Sequence, residues 1–253
     1  MALHHNPRIV TSGLVLALDA GDVNSYPGSG TTLNNTALIG STASVVNGAP
    51  SGNIISLDGT NDWISINNSV TSEILSPAVA TFSIWFRAND TYSNGNTCSL
   101  ISRGNYNTSG GFFIHMAKSG SNCVVSATFS YSTTTSYSFQ GTSVHIVNPF
   151  GQWNNITVTV DSSVKLYANG VLKESVARIV NTIIYGNGTI NTSGDTNLAF
   201  VSALGYAPTI EQGPGGTWRP FNGDFANGMM YNRVLSADEV LQNYQAQKSR
   251  FGL

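Results

Sequence analysis

Charge is the scarcest commodity in this chain. Lysine, arginine, aspartate and glutamate together supply 9% of its 253 residues, against roughly 25% in ordinary soluble proteins. The 11 basic and 13 acidic residues leave a net charge of −2. That excludes the basic footprint needed to hold nucleic acid or anionic lipid. Long apolar runs are missing too: no stretch approaches the ~18 residues needed to cross a bilayer. Cysteine is limited to Cys98 and Cys123, with no C-x-x-C for zinc or redox work. The pair reads as thiols on neighbouring strands, buried or half-exposed, rather than as a disulfide. The opening Met1-Ala2-Leu3-His4-His5-Asn6-Pro7-Arg8 has no leader-like apolar segment or cleavage site. Release by cell lysis would explain this, and maturation before this numbering would explain it equally well.

Catalytic signatures are lacking as well. There is no Gly-x-Ser-x-Gly elbow, phosphate loop, dinucleotide fingerprint or His-Glu-x-x-His. Glycoside hydrolysis needs two carboxylates about 5–10 Å apart across the scissile bond. The glutamates, Glu73, Glu174, Glu211 and Glu239, are isolated from one another, and Asp238-Glu239 belongs to a helix start. His115 and His145 stand alone in strand-like contexts and read as hydrogen-bonded structural residues. His4 and His5 point apart in an extended chain and read as a polar arm. The expectation is a protein that is not an enzyme.

What is abundant is neutral and polar. Ser, Thr, Asn and Gly make up 108 of the 253 residues, poor helix formers and good turn and strand-edge residues. The 41% of hydrophobic residues suffices for a core, in short stretches separated by turn clusters, the signal of a sandwich or barrel. Leu14-Val15-Leu16-Ala17-Leu18 opens the series, and residues 24–53 read as loop with brief strands. Ile54–Leu57 and Trp63–Ile66 flank Asp58-Gly59-Thr60-Asn61, a hairpin signal. In Phe82-Ser83-Ile84-Trp85-Phe86 the period of two puts Phe82, Ile84 and Phe86 on one face and Trp85 on the other, so the strand needs cover on both sides. Ser130 to Ser138 reads as a polar edge strand or long loop. Ile156, Val158 and Val160 alternate with Thr157, Thr159 and Asp161, and Asn169-Gly170 predicts a two-residue type I′ hairpin. Ser236-Ala237-Asp238-Glu239 is a capping box opening the one short helix, at the C-terminal end. Residues 1–12 form an N-terminal arm, and 13–253 one domain.

Two binding chemistries suit the loop residues. Calcium takes hard oxygens, and Asp19 with Asp22, Asp58 with Asn61 and Asp62, and Asp224 supply them; the alternative is that these residues cap turns. No cofactor is required by anything else in the sequence. A sugar takes an aromatic face plus amide and carboxylate partners. The loop aromatics are Tyr26, Tyr106, Tyr131, Tyr137, Tyr206 and Trp218, the last just after Gly213-Pro214-Gly215-Gly216. For Trp218 a core plug or a subunit contact is the reading preferred over a sugar. Trp85 and Trp153 read as packing residues.

In order, Gly13–Gly21, Ser56–Ile64, Phe82–Phe86, Trp153–Val158, Val164–Gly170 and Met230–Ser236 resemble the concanavalin A-like, laminin-G-type jelly rolls. The resemblance implies an all-β, two-sheet antiparallel jelly-roll sandwich, with frequent glycan or protein binding and sometimes calcium. Asn6-Pro7-Arg8-Ile9-Val10 and Lys248-Ser249-Arg250-Phe251-Gly252-Leu253 are similar to virion structural proteins of tailed phages, notably marine cyanobacterial ones. Residues 24–53 and 91–150 depart from the family pattern. The expectation is a non-enzymatic virion surface protein, decorating a capsid or forming part of a fibre. Its partners would be other virion proteins, further copies of itself in an oligomer or lattice, and a cell-surface glycan, with no nucleic acid and no membrane insertion. A free lectin, or a polysaccharide-cleaving enzyme on the same scaffold, are the rival readings.

Overall fold

A computed structural model describes residues 7–37, 41–66, 79–105, 110–132, 137–146, 149–177, 183–184, 198–200, 217–218 and 220–253. In chain order the strands are β1 (Leu14–Asp19), β2 (Thr32–Asn34), β3 (Thr42–Val46), β4 (Ala49–Ser51), β5 (Ile54–Asp58), β6 (Trp63–Ile66), β7 (Ala80–Ala88), β8 (Asn96–Asn105) and β9 (Gly110–Ser119). Then come β10 (Asn122–Ser132), β11 (Tyr137–Ile146), β12 (Asn154–Val160), β13 (Ser163–Ala168), β14 (Val171–Ala177), β15 (Ile183–Ile184), β16 (Leu198–Phe200), β17 (Thr217–Trp218) and β18 (Asn222–Tyr231). Among the described residues one α-helix, α1 (Ala237–Gln247), and a 3-10 turn over Lys248–Phe251 follow.

The strands form two sheets. The first runs β14-β13-β12-β7-β18-β5-β4, and β1 joins it on β18. β5 pairs with Asn222–Phe225 and β1 with the stretch from Asn227 to Tyr231, so two short strands share one edge of a long one across an irregularity. The second runs β11-β10-β9-β8-β16-β6-β3-β2, with β15 on β10 and β17 on β8. This is the all-β antiparallel sandwich with a short C-terminal helix that the sequence predicts. The β17–β8 contact is the parallel exception among the described pairings.

Period-two alternation fills the space between the sheets. Phe82, Ile84, Phe86, Ile156, Val158 and Val160 of the first sheet meet Phe112, Ile114, Val125 and Phe129 of the second. The Phe82 and Phe112 rings lie 4.6 Å apart. Apolar burial of this kind stabilises by about 25 cal/mol per Å² removed from water.

A smaller apolar cluster covers the outer face of the first sheet. Ala17, Tyr167, Met229 and Tyr231 pack there against Leu235 and Val240, with Ile9, Val10 and Leu14 alongside. Trp85 is fully buried here, stacked on Tyr244 at 5.5 Å and on Phe251 at 4.2 Å. The two-sided cover that the Phe82–Phe86 pattern demands is thus supplied by the C-terminal segment. The helix starts as its capping box dictates: the Ser236 side chain accepts from the Glu239 amide, and the Glu239 carboxylate accepts from the Ser236 amide. Residues of the N-terminal arm lie against it, with the Val10 amide donating to Asn243 Oδ1 at 2.7 Å and the Tyr231 hydroxyl donating to the Val10 carbonyl at 2.9 Å.

Asn169 and Gly170, at φ 51° and 76°, make the β13–β14 turn as predicted. Asp58–Asn61 reverses the chain but makes no hairpin: β5 belongs to the first sheet and β6 to the second. Turn chemistry fixes the reversal through Gly59, at φ 79°, while the strands awaiting partners in each sheet decide where the chain goes next. The Ser130–Ser138 region closes a hairpin of two long strands, β10 and the edge strand β11; residues 133–136, like 185–197 and 213–216, lie outside the described residues.

Cys98 and Cys123 correct the reading of neighbouring strands. They lie on β8 and β10 with β9 between them, two strand spacings of about 4.8 Å each, beyond the ~7 Å Cα limit of a disulfide. Both are buried free thiols, pushed up to about 12 by burial. His115 is buried and its pKa is pushed down to about 4, and His145 on β11 is exposed.

The acid sensitivity of the helix cap follows from its ion pair. Arg233 grips Glu239 through two bonds, at 2.9 and 2.6 Å, and this pairing holds the Glu239 carboxyl down at about 2. A depressed carboxyl contributes stability above its ordinary pKa near 4.5, and that contribution is lost as pH falls towards 2. Glu239→Gln should therefore cost about 1–2 kcal/mol at pH 7 and roughly a quarter of that at pH 2.5. Urea unfolding at both pH values checks this; an equal cost at each contradicts it.

Candidate functional site

Cover on the first sheet stops after Phe86. One residue further, β7 presents Arg87, and the strands beside it present a continuous row on the same outer face. Asp224 of β18 is the direct partner of both Arg87 and Ser56 of β5. Trp153, which precedes β12, lies beside Arg87, whose guanidinium carbon sits 5.1 Å from its ring centroid. The Trp153 ring also meets Phe251 at 4.7 Å, so the 3-10 turn forms the wall of the row.

Each member is held in place. Arg87 Nε and Nη2 both reach Asp224 Oδ2, at 2.9 and 2.7 Å, and the Ser56 hydroxyl donates to Asp224 Oδ1 at 2.7 Å. The Arg87 side chain remains 37% exposed, Asp224 only 11%. Ion pairs this open contribute little stability by themselves, but the doubled contact and the indole face fix the guanidinium plane.

Two residues along each strand, a second row follows on the same face: Asn89, Asn222 and Asp58. Asn89 Nδ2 donates to Asn222 Oδ1 at 2.7 Å, and Asn222 Nδ2 donates to the Asp58 carbonyl at 2.8 Å. The Tyr92 hydroxyl anchors this row from below by accepting from the Asn222 amide. Asn89 and Asp58 are exposed and Asn222 half-exposed. The two rows make a platform of oriented amides, a neutralised guanidinium and one indole.

The predicted site residues divide accordingly. Asp224 and Asp58 belong to the platform. Asp62 is buried, accepts from the Asp58 amide at 2.8 Å, and has its carboxyl raised, mainly by burial. Asn61 contributes its carbonyl to Asn47 Nδ2. Asp19 is gripped by Arg250 at 2.6 and 2.8 Å, and Asp22 caps its own loop through the Asn24 amide. Among the described residues no three His, Cys, Asp or Glu side chains converge on a point that would hold a metal. Tyr26 corrects the expectation of an open loop aromatic: it is buried at 6% exposure and its hydroxyl donates to the Gly30 carbonyl.

Tyr106 and Tyr206 lie outside the described residues. Tyr131 and Tyr137 fall on β10 and β11, and Trp218 on β17 beside the start of β8; their side chains lie outside the described part. The sequence reading missed Arg87, Ser56, Asn89 and Asn222 and took Trp153 for packing alone. The only local signal was charge in an uncharged chain, one arginine closing an apolar strand.

Fold and platform together define an all-β sandwich that presents an ordered polar surface on the outer face of its first sheet. Residues 58–241 match the laminin-G-type profile of the concanavalin A-like lectin/glucanases superfamily, and the chain belongs to that family. No curated protein matches it in sequence. Among solved structures, the botulinum neurotoxin serotype D ligand-binding domain in complex with N-acetylneuraminic acid superposes with a TM-score of 0.62 at 15% identity, over 94% of this chain and 52% of that one. The binding domain of botulinum neurotoxin DC in complex with a sialylated ligand gives 0.61 at 15% identity, over 93% and 52%. The chain thus spans about half the length of these structures, and at such identity the likeness is one of fold.

Gly223 is what lets the two rows sit on adjacent turns of the pleat. It has φ 151°, and a Cβ there would run into the Arg87 carbonyl. Gly223→Ala should destabilise the protein by roughly 2–4 kcal/mol. Thermal unfolding of the variant beside the parent checks this, and an unchanged midpoint refutes the tight approach.

Proposed function

We propose that the chain is a non-enzymatic glycan-binding module carried on the surface of a phage particle, in contact with other virion proteins and with copies of itself. The platform is the observation that carries the binding half. Sugars are recognised by an aromatic face that packs on C–H groups and by fixed donors and acceptors that meet hydroxyls, and Trp153 beside Asn89, Asn222 and Arg87 offers both. Pre-ordered side chains lose little entropy on binding. The superposed toxin domains, held in complex with N-acetylneuraminic acid and a sialylated ligand, support a glycan as the class of partner.

Turnover is disfavoured by how the carboxylates are used. Asp224 is committed to Arg87 and Ser56, and Asp58 Oδ1 accepts from the Thr60 amide at 2.7 Å. Neither is left as a free acid facing a second across a groove, the arrangement hydrolysis requires. The reading uses no metal. The particle half rests on the resemblance of both chain ends to phage virion proteins, and a low-charge surface suits it because neutral polar faces pack without burying unpaired ions.

Each half has its own test. A glycan array probed with the purified chain should show binders that Trp153→Ala weakens at least tenfold while the melting curve keeps its cooperativity; an unaffected Trp153→Ala protein would move the site elsewhere. Mass spectrometry of purified particles should find the chain at structural stoichiometry, and its absence from them ends the virion assignment.

A further inference from the structure

We propose that the platform selects uncharged pyranosides and discriminates against acidic ones, with the Arg87–Asp224 pair as the discriminating device. The inference rests on the glycan-binding reading and narrows it.

Charge on the platform is already cancelled. Arg87 Nε donates to one oxygen of Asp224, with Nη2 2.7 Å from the same oxygen, and the other oxygen is taken by Ser56. A sugar carboxylate could reach the remaining N–H groups of Arg87, but it would meet a guanidinium whose charge an adjacent carboxylate, itself 11% exposed, already balances. The neighbouring cation, Lys118, is spent in the same way, on Asp90, and lies over the Phe150 ring at 5.3 Å. The two cations that border the rows, Arg87 and Lys118, are thus each matched by a carboxylate. Asp58 adds an exposed negative charge to the second row, so the local field repels anions.

The neutral groups are arranged the opposite way, with capacity to spare. Asn89 uses one Nδ2 hydrogen on Asn222 and keeps its other hydrogen and its Oδ1. Asn222 keeps one Nδ2 hydrogen after serving Asp58. Ser56 donates its only hydrogen to Asp224 and keeps its acceptor lone pairs. Adjacent donor and acceptor on a fixed amide match a vicinal pair of hydroxyls, each of which gives one hydrogen and accepts one. Trp153, half-exposed at the end of the first row with its ring shared between Arg87 and Phe251, leaves its remaining surface to a pyranose C–H group.

The pair also predicts how selectivity can be changed. Removing the Asp224 charge frees the guanidinium, which then has the planar fork that suits a carboxylate. Asp224→Asn keeps the size and the Ser56 contact while releasing Arg87.

The experiment is an array of neutral oligosaccharides printed beside their sialylated, sulfated and uronate counterparts, read at 50 and 500 mM NaCl. The parent chain should bind neutral members, bind each acidic counterpart at least tenfold more weakly, and change little with salt. Asp224→Asn should narrow that gap at least tenfold, in a salt-sensitive manner. Arg87→Gln, measured alongside as the second variant, should not narrow it, because it leaves no cation. Acidic glycans bound more tightly than their neutral parents by the parent chain would overturn this inference and leave the glycan-binding reading standing. Silence across the whole array would remove both. If Asp224→Asn fails to fold, the parent's neutral-to-acidic ratio and its salt response still decide the matter.

Discussion

From Ala80 to Phe86 the strand at the middle of the first sheet has no solvent side. Its even-numbered aromatics and aliphatics enter the space between the sheets, and its odd positions, above all Trp85, enter a second apolar layer built from the C-terminal helix and turn. A sheet buried on both faces needs that outer layer to be fixed. Arg250 fastens it by reaching Asp19 at the end of β1 and, at 2.8 Å, the Asn53 carbonyl before β5. Where this cover ends, at Phe251, the same strand becomes open to solvent at Arg87. The platform exists because the cover stops two residues before the strand does.

Scarcity of charge then shapes the platform's chemistry. Arg87 and Lys118 are matched locally by Asp224 and Asp90, as Arg233 is by Glu239 and Arg250 by Asp19. What is left to interact outward is amide, hydroxyl and indole. Such groups have modest individual energies, near 1 kcal/mol for a net hydrogen bond, so their usefulness depends on being held. The Asn89–Asn222–Asp58 chain of bonds and the Tyr92 anchor provide that holding. A binding surface of this kind gains from order more than from strength.

Much of the fold was legible residue by residue. The alternation at Ile156, Val158 and Val160, the turn at Asn169-Gly170 and the capping box at Ser236–Glu239 are local patterns, and local patterns survive into the structure because each is satisfied by neighbours in sequence. The Asp58–Asn61 reversal shows the boundary of that method. Its turn chemistry was readable, but its two flanking strands entered different sheets, since pairing is settled by residues more than 150 positions away at Asn222–Phe225. The cysteines show it again: their spacing in the chain says nothing of the strand that separates them.

The site was the least legible part. Trp153, Arg87, Asp224 and Ser56 come from four separate stretches and have no shared spacing; only sheet register aligns them. The sequence by itself determined the class of fold, its low charge and the two-sided burial of β7, because composition and period-two patterning act locally and need no partner identity. Tertiary structure alone decided which polar residues stand side by side on an open face, because cross-strand neighbours are chosen by long-range pairing that no local pattern encodes.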